Sequence, residues 1–256
     1  FDCQKRRTVT VTTDVLFAQA HSLLERLEKI IPSSNPIEPL WNDAQAFRWN
    51  HQQRTLQTIV NFQRIALTDL LGIDNQKQRV QQNTLQFVRG GMANNVLLSG
   101  ARGTGKSSLV KSLLNEYANQ GLRVIQIDKQ GLVDLPTIVG LVQGRSERFI
   151  LYCDDLSFNA DELGYQALKA ALDGDLVMLS DNLLIYATSN RRHLMPDYMQ
   201  ENLTTQYVGD EIHPAESVEE KISLSERFGL WISFYPFSQD EYLNVVTHWL
   251  KHYGWQ

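Results

Sequence analysis

The sequence predicts a three-layer α/β fold built on a parallel sheet. Three observations carry this. Short apolar runs alternate with amphipathic helical runs, a glycine-rich turn joins one strand to the next helix, and two other strands end abruptly in polar or acidic residues. Strands separated by helices pair in parallel and are covered on both faces.

Strands are expected at 95–99, 122–128, 149–153, 183–188 and 230–235. A helix over 107–120 places Leu109, Val110, Leu113, Leu114 and Tyr117 on one side and closes at Gly121. Ser238-Gln239-Asp240-Glu241 is a capping box that opens a last helix through Tyr242, Val245, Val246, Trp249 and Leu250. Near the start, Leu16, Ala20, Leu23, Leu24, Leu27, Ile30 and Ile31 recur at helical spacing, with Thr12, Thr13 and Asp14 as N-cap candidates. Prolines at 32 and 36 break that helix, and Trp41, Phe47 and Trp49 follow in a short irregular segment. A second helical run carries Leu56, Ile59, Val60, Ile65, Leu67, Leu70 and Leu71 and ends at Gly72. The expected organisation is a helical appendage at 1–52, a core at 53–237, and the start of a helical lid at 238–256.

Bulk composition narrows the classes. The 256 residues are 43% hydrophobic and 21% charged, enough to bury a core. A net charge of −5 argues against a globally basic nucleic-acid binder, although a local basic patch is compatible with it. With two cysteines, Cys3 and Cys153, no disulfide framework is expected. No apolar run reaches the roughly 18 residues of a membrane span and no secretory signal is visible, so a cytoplasmic protein is expected.

Gly100-Ala101-Arg102-Gly103-Thr104-Gly105-Lys106-Ser107, followed by Ser108, fits GxxxxGK[ST] between a strand and a helix. The glycines allow the backbone to curl around phosphate oxygens, and the helix start adds its positive dipole end. Lys106 is expected at the β- and γ-phosphates, and the Ser107 hydroxyl on Mg²⁺. ATP and Mg²⁺ are therefore the expected ligands. Phe149-Ile150-Leu151-Tyr152-Cys153 runs into Asp154-Asp155. Asp154 is expected to support the metal, and Asp155 to act as general base on water. Both acids would otherwise simply end a buried strand in solvent. The run 184–190 is a second buried strand, ending at Asn190, which either orients water near the γ-phosphate or forms an ordinary turn.

In this order the elements resemble AAA+ ATPases: Walker A, Walker B, sensor 1, arginine finger. The resemblance implies an AAA+-type P-loop core, with Asn190 as the sensor. It implicates Arg227, in Ser225-Glu226-Arg227-Phe228, as a finger acting on a neighbouring subunit of a homo-oligomer. It also implies that Leu71-Gly72-Ile73 contacts adenine. A closer resemblance spans the chain from about Trp41. Asp69 to Asp74, Phe149 to Phe158, Tyr186 to Leu194 and Ser223 to Leu230 look like a bacterial AAA+ family of unknown function, number 815. Two departures stand out. Asp155 replaces the usual Glu, which implies slow hydrolysis, and a short or truncated lid lacks the sensor 2 arginine.

The first functional expectation is an ATPase that turns nucleotide state into movement or assembly. The second is a nucleotide-gated switch that scarcely hydrolyses, supported by the paired acids. The third, a DNA loader or remodeller, rests on Arg102, Arg191 and Arg192, and the acidic balance opposes it. Those arginines are otherwise solvated, and Arg227 is otherwise a structural partner of Glu226, Glu219 or Glu220. His213, beside Pro214, has no ligand-spaced partner.

Overall fold

The structure is a computed structural model. It describes residues 21–22, 41, 44–158, 162–173, 180–190, 206–208, 211–213 and 224–255. The chain divides into two units, Phe1–Ile37 and Glu38–Gln256, and the described residues lie almost wholly in the second. Cys3, the 12–14 cap, most of the first expected helix, Arg191, Arg192, Pro214, Glu219 and Glu220 lie outside the described residues.

A seven-stranded sheet forms the middle layer, in the order β2-β1-β4-β5-β6-β3-β9. Its strands are β1 (Ala46–Asn50), β2 (Thr55–Thr58), β3 (Val96–Gly100), β4 (Leu122–Ile127), β5 (Arg148–Cys153), β6 (Leu183–Ser189) and β9 (Leu230–Phe234). Among the described residues of this sheet, only β1 and β2 pair antiparallel. A separate hairpin joins β7 (Gln206–Val208) to β8 (Glu211–His213), which places the His213 backbone in a strand.

The central strands β3, β5 and β6 are almost continuously buried, as a sheet covered on both faces requires. On one face α1 (Asp74–Val88) and α2 (Lys106–Tyr117) pack Val80, Phe87, Leu109 and Leu113 against Val96, Leu98, Ile150 and Tyr186. On the other, α3 (Leu135–Val142) and α4 (Leu163–Asp173) bury Ile138, Val142, Tyr165 and Leu168 against Leu97, Ile125, Leu151 and Ile185. The last helix, α5 (Gln239–His252), opens on the expected cap. Ser238 accepts from the Glu241 N–H, and Glu241 accepts from Ser238. The α/β three-layer fold of the P-loop type is thus present.

Two expectations fail between residues 41 and 88. Phe47 and Trp49 are not irregular: β1 lies before the boundary expected at residue 52 and pairs with β4 in the main sheet. The helix expected up to Gly72 is replaced by β2 and a single 3-10 turn at Leu67–Asp69. The apolar residues there are buried as separate anchors, Leu56 against one core face and Ile65, Leu67 and Leu70 against the other, so their spacing reflects no common helical stripe. The helix is instead α1. Its Asn- and Gln-rich sequence offers few apolar residues, and it buries only Val80, Asn83, Thr84 and Phe87.

Candidate functional site

A cleft of about 380 Å³ opens over the carboxyl ends of β3, β5 and β6. Its polar end is the turn between β3 and α2. Gly100 (φ 125°), Gly103 (φ 75°) and Gly105 (φ 89°) all take backbone angles that side chains disfavour. Gly100 also has no room for a side chain, since a Cβ would stand 2.0 Å from the Phe234 carbonyl of β9. The same strand fixes Ala101, whose N–H donates to Phe234 O at 3.1 Å. The open space is around Gly103, where a Cβ would meet nothing within 4 Å. Helix α2 begins with no side-chain cap, leaving its first N–H groups as donors facing an anion-sized space.

Lys106 is buried, and its Nζ donates to Gly100 O at 2.9 Å and to Ala101 O at 2.6 Å. Burial lowers its pKa, opposed by Asp155 and Asp154 and reinforced by Arg102. The ammonium is thus satisfied by carbonyls of the loop whose mouth it guards. Thr104 ties the loop to itself through Ala101 O at 2.8 Å.

The two acids part company after β5. Asp154 Oδ1 accepts from Ser107 Oγ at 2.8 Å, Tyr152 Oη at 2.6 Å and Thr188 Oγ1 at 2.6 Å. Burial alone would raise the Asp154 pKa, but the bonds from Thr188, Tyr152 and Ser107, with Lys111 nearby, hold it below the ordinary carboxylate value. Burial and the Asp154 charge push the Tyr152 phenol far upward, so it stays a neutral donor. Asp155 has φ 52°, an uncommon backbone angle for a non-glycine residue. Two bonds hold it there: its N–H donates to Thr188 Oγ1 at 2.9 Å, and Asn190 Nδ2 donates to its Oδ1 at 2.6 Å. Cys153, between the acids and the core, is buried, and its thiol is pushed up to about 12. It is inert at neutral pH.

The other end of the cleft is apolar, walled by Leu70, Leu71, Ile73, Phe237, Val245 and Trp249. Helix α5 is tied over this end by His248 Nε2, 3.2 Å from Asp69 Oδ1. The residues singled out in the sequence therefore separate into two groups. Leu71, Ile73, the run from Arg102 to Ser108, Asp154 and Asn190 line the cleft. Gly72, Gly100, Ala101 and Asp155 support it from behind, Gly72 packing against the Phe237 ring and Asp155 acting through Asn190. Arg227 lies outside its own chain's cleft. Its Nε donates to Asp173 Oδ1 at the end of α4. Tyr152, Thr188, Phe237 and Trp249 escaped the sequence reading. Only the position of Tyr152, two residues before Asp154 on an alternating strand, could have signalled its side of the sheet.

The donor set fits a hard cation. Ser107 and Asp154 present oxygen ligands that meet at 2.8 Å. Among the described residues no cluster of three or more His, Cys, Asp or Glu could chelate a metal unaided. An ion held there would need phosphate oxygens and water to complete its shell, as Mg²⁺ habitually does.

No curated protein matches the chain. Among solved structures it is similar to a point-mutant form of Thermotoga maritima RuvB, at 15% identity and TM-score 0.47, covering 73% of this chain and 53% of that one. It is similar to the Aeropyrum pernix Orc1 protein in complex with DNA, at 13% identity and TM-score 0.47, covering 73% of this chain and 53% of that one. It is also similar to DnaI, at 17% identity and TM-score 0.45, covering 78% of this chain and 98% of that one. The chain spans about half the length of the RuvB chains it matches. A family model described as protein of unknown function (DUF815) matches residues 42–256. The chain belongs to that family.

Proposed function

We propose that the chain binds Mg-ATP in this cleft and hydrolyses it slowly, coupling nucleotide state to conformational change or assembly. The observation that carries the reading is the Ser107–Asp154 hydrogen bond. It joins the phosphate loop to the acid strand across 47 residues of sequence, at the floor of a cleft with one polar and one apolar end. The apolar wall of Leu71, Ile73 and Trp249 suits an adenine ring, with Gly72 giving the chain its turn behind it. The loop and α2 start suit the phosphates, Lys106 exchanging its carbonyl partners for phosphate oxygens. Ser107 and Asp154 would hold Mg²⁺, which would neutralise charge on the phosphoryl oxygens when bound. Asp155 would accept the proton of the attacking water, with Asn190 orienting it.

Arg227 is read as acting in trans on a second copy, since it does not line its own chain's cleft. Leu224 and Phe228 anchor its segment in the core, and Ser225 is buried beside them. A cytoplasmic homo-oligomer follows from this reading. Among the described residues no helix is long and apolar enough to cross a membrane. One observation favours a second reading, a nucleotide-gated switch: Asn190 already occupies an oxygen of Asp155 at 2.6 Å, so the base is engaged before any nucleotide arrives. Phosphate release measured against protein concentration tests both. The ATPase reading expects turnover per chain to rise with concentration as copies assemble. Binding with no turnover at any concentration would leave only the switch.

A further inference from the structure

Asp154 Oδ1 receives three hydroxyl hydrogens, more than the loop serine alone supplies. The donors differ in kind. Ser107 belongs to the first turn of α2 and, on the reading above, shares its oxygen with the metal. Tyr152 and Thr188 belong to adjacent paired strands of the sheet, with Tyr152 opposite Tyr186 in the register. They do not depend on nucleotide. The Tyr152 ring is 4% exposed in the core face under α2, where a phenylalanine would pack as well, so packing does not explain the hydroxyl. A carboxylate turns about its Cβ–Cγ bond unless its oxygens are distinguished. Three donors on one oxygen distinguish them, leaving Oδ2 for the metal or its water.

We propose that the Tyr152 hydroxyl is a positioning residue for the metal: bonded to Asp154 Oδ1, it fixes the carboxylate and so makes nucleotide affinity depend on Mg²⁺. The inference rests on the nucleotide reading of the cleft. Thr188 shares the task but also holds the Asp155 N–H, whereas Tyr152 serves Asp154 alone among the two acids.

The test is a titration of the full chain with N-methylanthraniloyl-ADP, once with excess Mg²⁺ and once with EDTA. Y152F should lower the ratio of the two affinities about tenfold, the scale of one charge-assisted hydrogen bond, and leave the EDTA affinity unchanged. An unchanged ratio in Y152F, or equal losses with and without Mg²⁺, overturns the assignment. A Y152F chain that fails to fold makes the hydroxyl structural and overturns it too. If the wild type binds no nucleotide, the reading of the cleft falls and carries this inference with it; if it binds with strong Mg²⁺ dependence and Y152F matches it, this inference alone falls.

Discussion

Arg227→Ala separates a structural arginine from one that works on a neighbour. In the single chain Arg227 is one-quarter exposed and donates to Asp173, which is 40% exposed. Partly exposed pairs of this kind contribute about 0.2–1 kcal/mol. Loss of this ion pair should therefore lower the thermal midpoint by no more than about 4 °C in a domain of this size. The effect on turnover should be of another order. A finger delivered across an interface contributes about 10³–10⁵ in rate, so R227A should bind ATP normally and lose at least about 10³-fold in turnover. Asp173→Asn removes this ion pair but leaves the guanidinium and its other contacts, so it should cost no more stability than R227A and retain turnover. Mixing R227A into wild type should depress activity more than dilution does. The assays are phosphate release across a protein concentration series, with molecular size followed in parallel. Full turnover in R227A, or a D173N variant as inactive as R227A, would refute the reasoning.

Three further outcomes follow from the site. Asp154→Asn should weaken Mg²⁺-dependent nucleotide binding, whereas Asp155→Asn should bind as wild type and fail in single-turnover hydrolysis; equal behaviour of the two would contradict their separate bonding. Gly100→Ala should cost about 3 kcal/mol or more in urea unfolding, because its Cβ would stand 2.0 Å from Phe234 O, while Gly103→Ala, with open space around it, should cost only about 1–2 kcal/mol for its φ. Asp154 has a depressed pKa when folded, so its contribution is present above the ordinary aspartate value of about 3.9 and lost as pH falls through the lower folded value. The stability gap between wild type and D154N should hold from pH 8 to about 4 and close below that.

The strands carrying chemistry were legible because burial on both faces leaves unbroken apolar runs, as in Phe149–Cys153, and because Gly, Lys and Ser at fixed spacing have few other uses. The segment from Trp41 to Val88 was not. β1 and β2 are short and half-polar, and β1 takes its place in the sheet from β4, distant in sequence, so neither period nor composition marks them. α1 hides its helical character in amide side chains, one of which serves the core: Asn83 donates to the Asn94 carbonyl and to Tyr186 Oη. Within the site, the Ser107–Asp154 meeting could be anticipated from motif order. The ring of hydroxyls around Asp154 could not, since Tyr152 and Thr188 read as ordinary strand residues until the pairing of Tyr152 with Tyr186 sets Thr188 two residues further along the neighbouring strand. The bond from Arg227 to Asp173 was equally hidden, because Asp173 lies 54 residues away at the end of α4.

The central claim is that the cleft binds nucleotide through the phosphate loop, and calorimetric titration of Mg-ATP into wild type and Lys106→Ala tests it most directly. Lys106 is buried with its Nζ on the loop carbonyls, so its loss removes the charge facing the phosphates without emptying the core. The account predicts one site per wild-type chain and no measurable binding in a folded K106A. Equal affinity in the two proteins would contradict it.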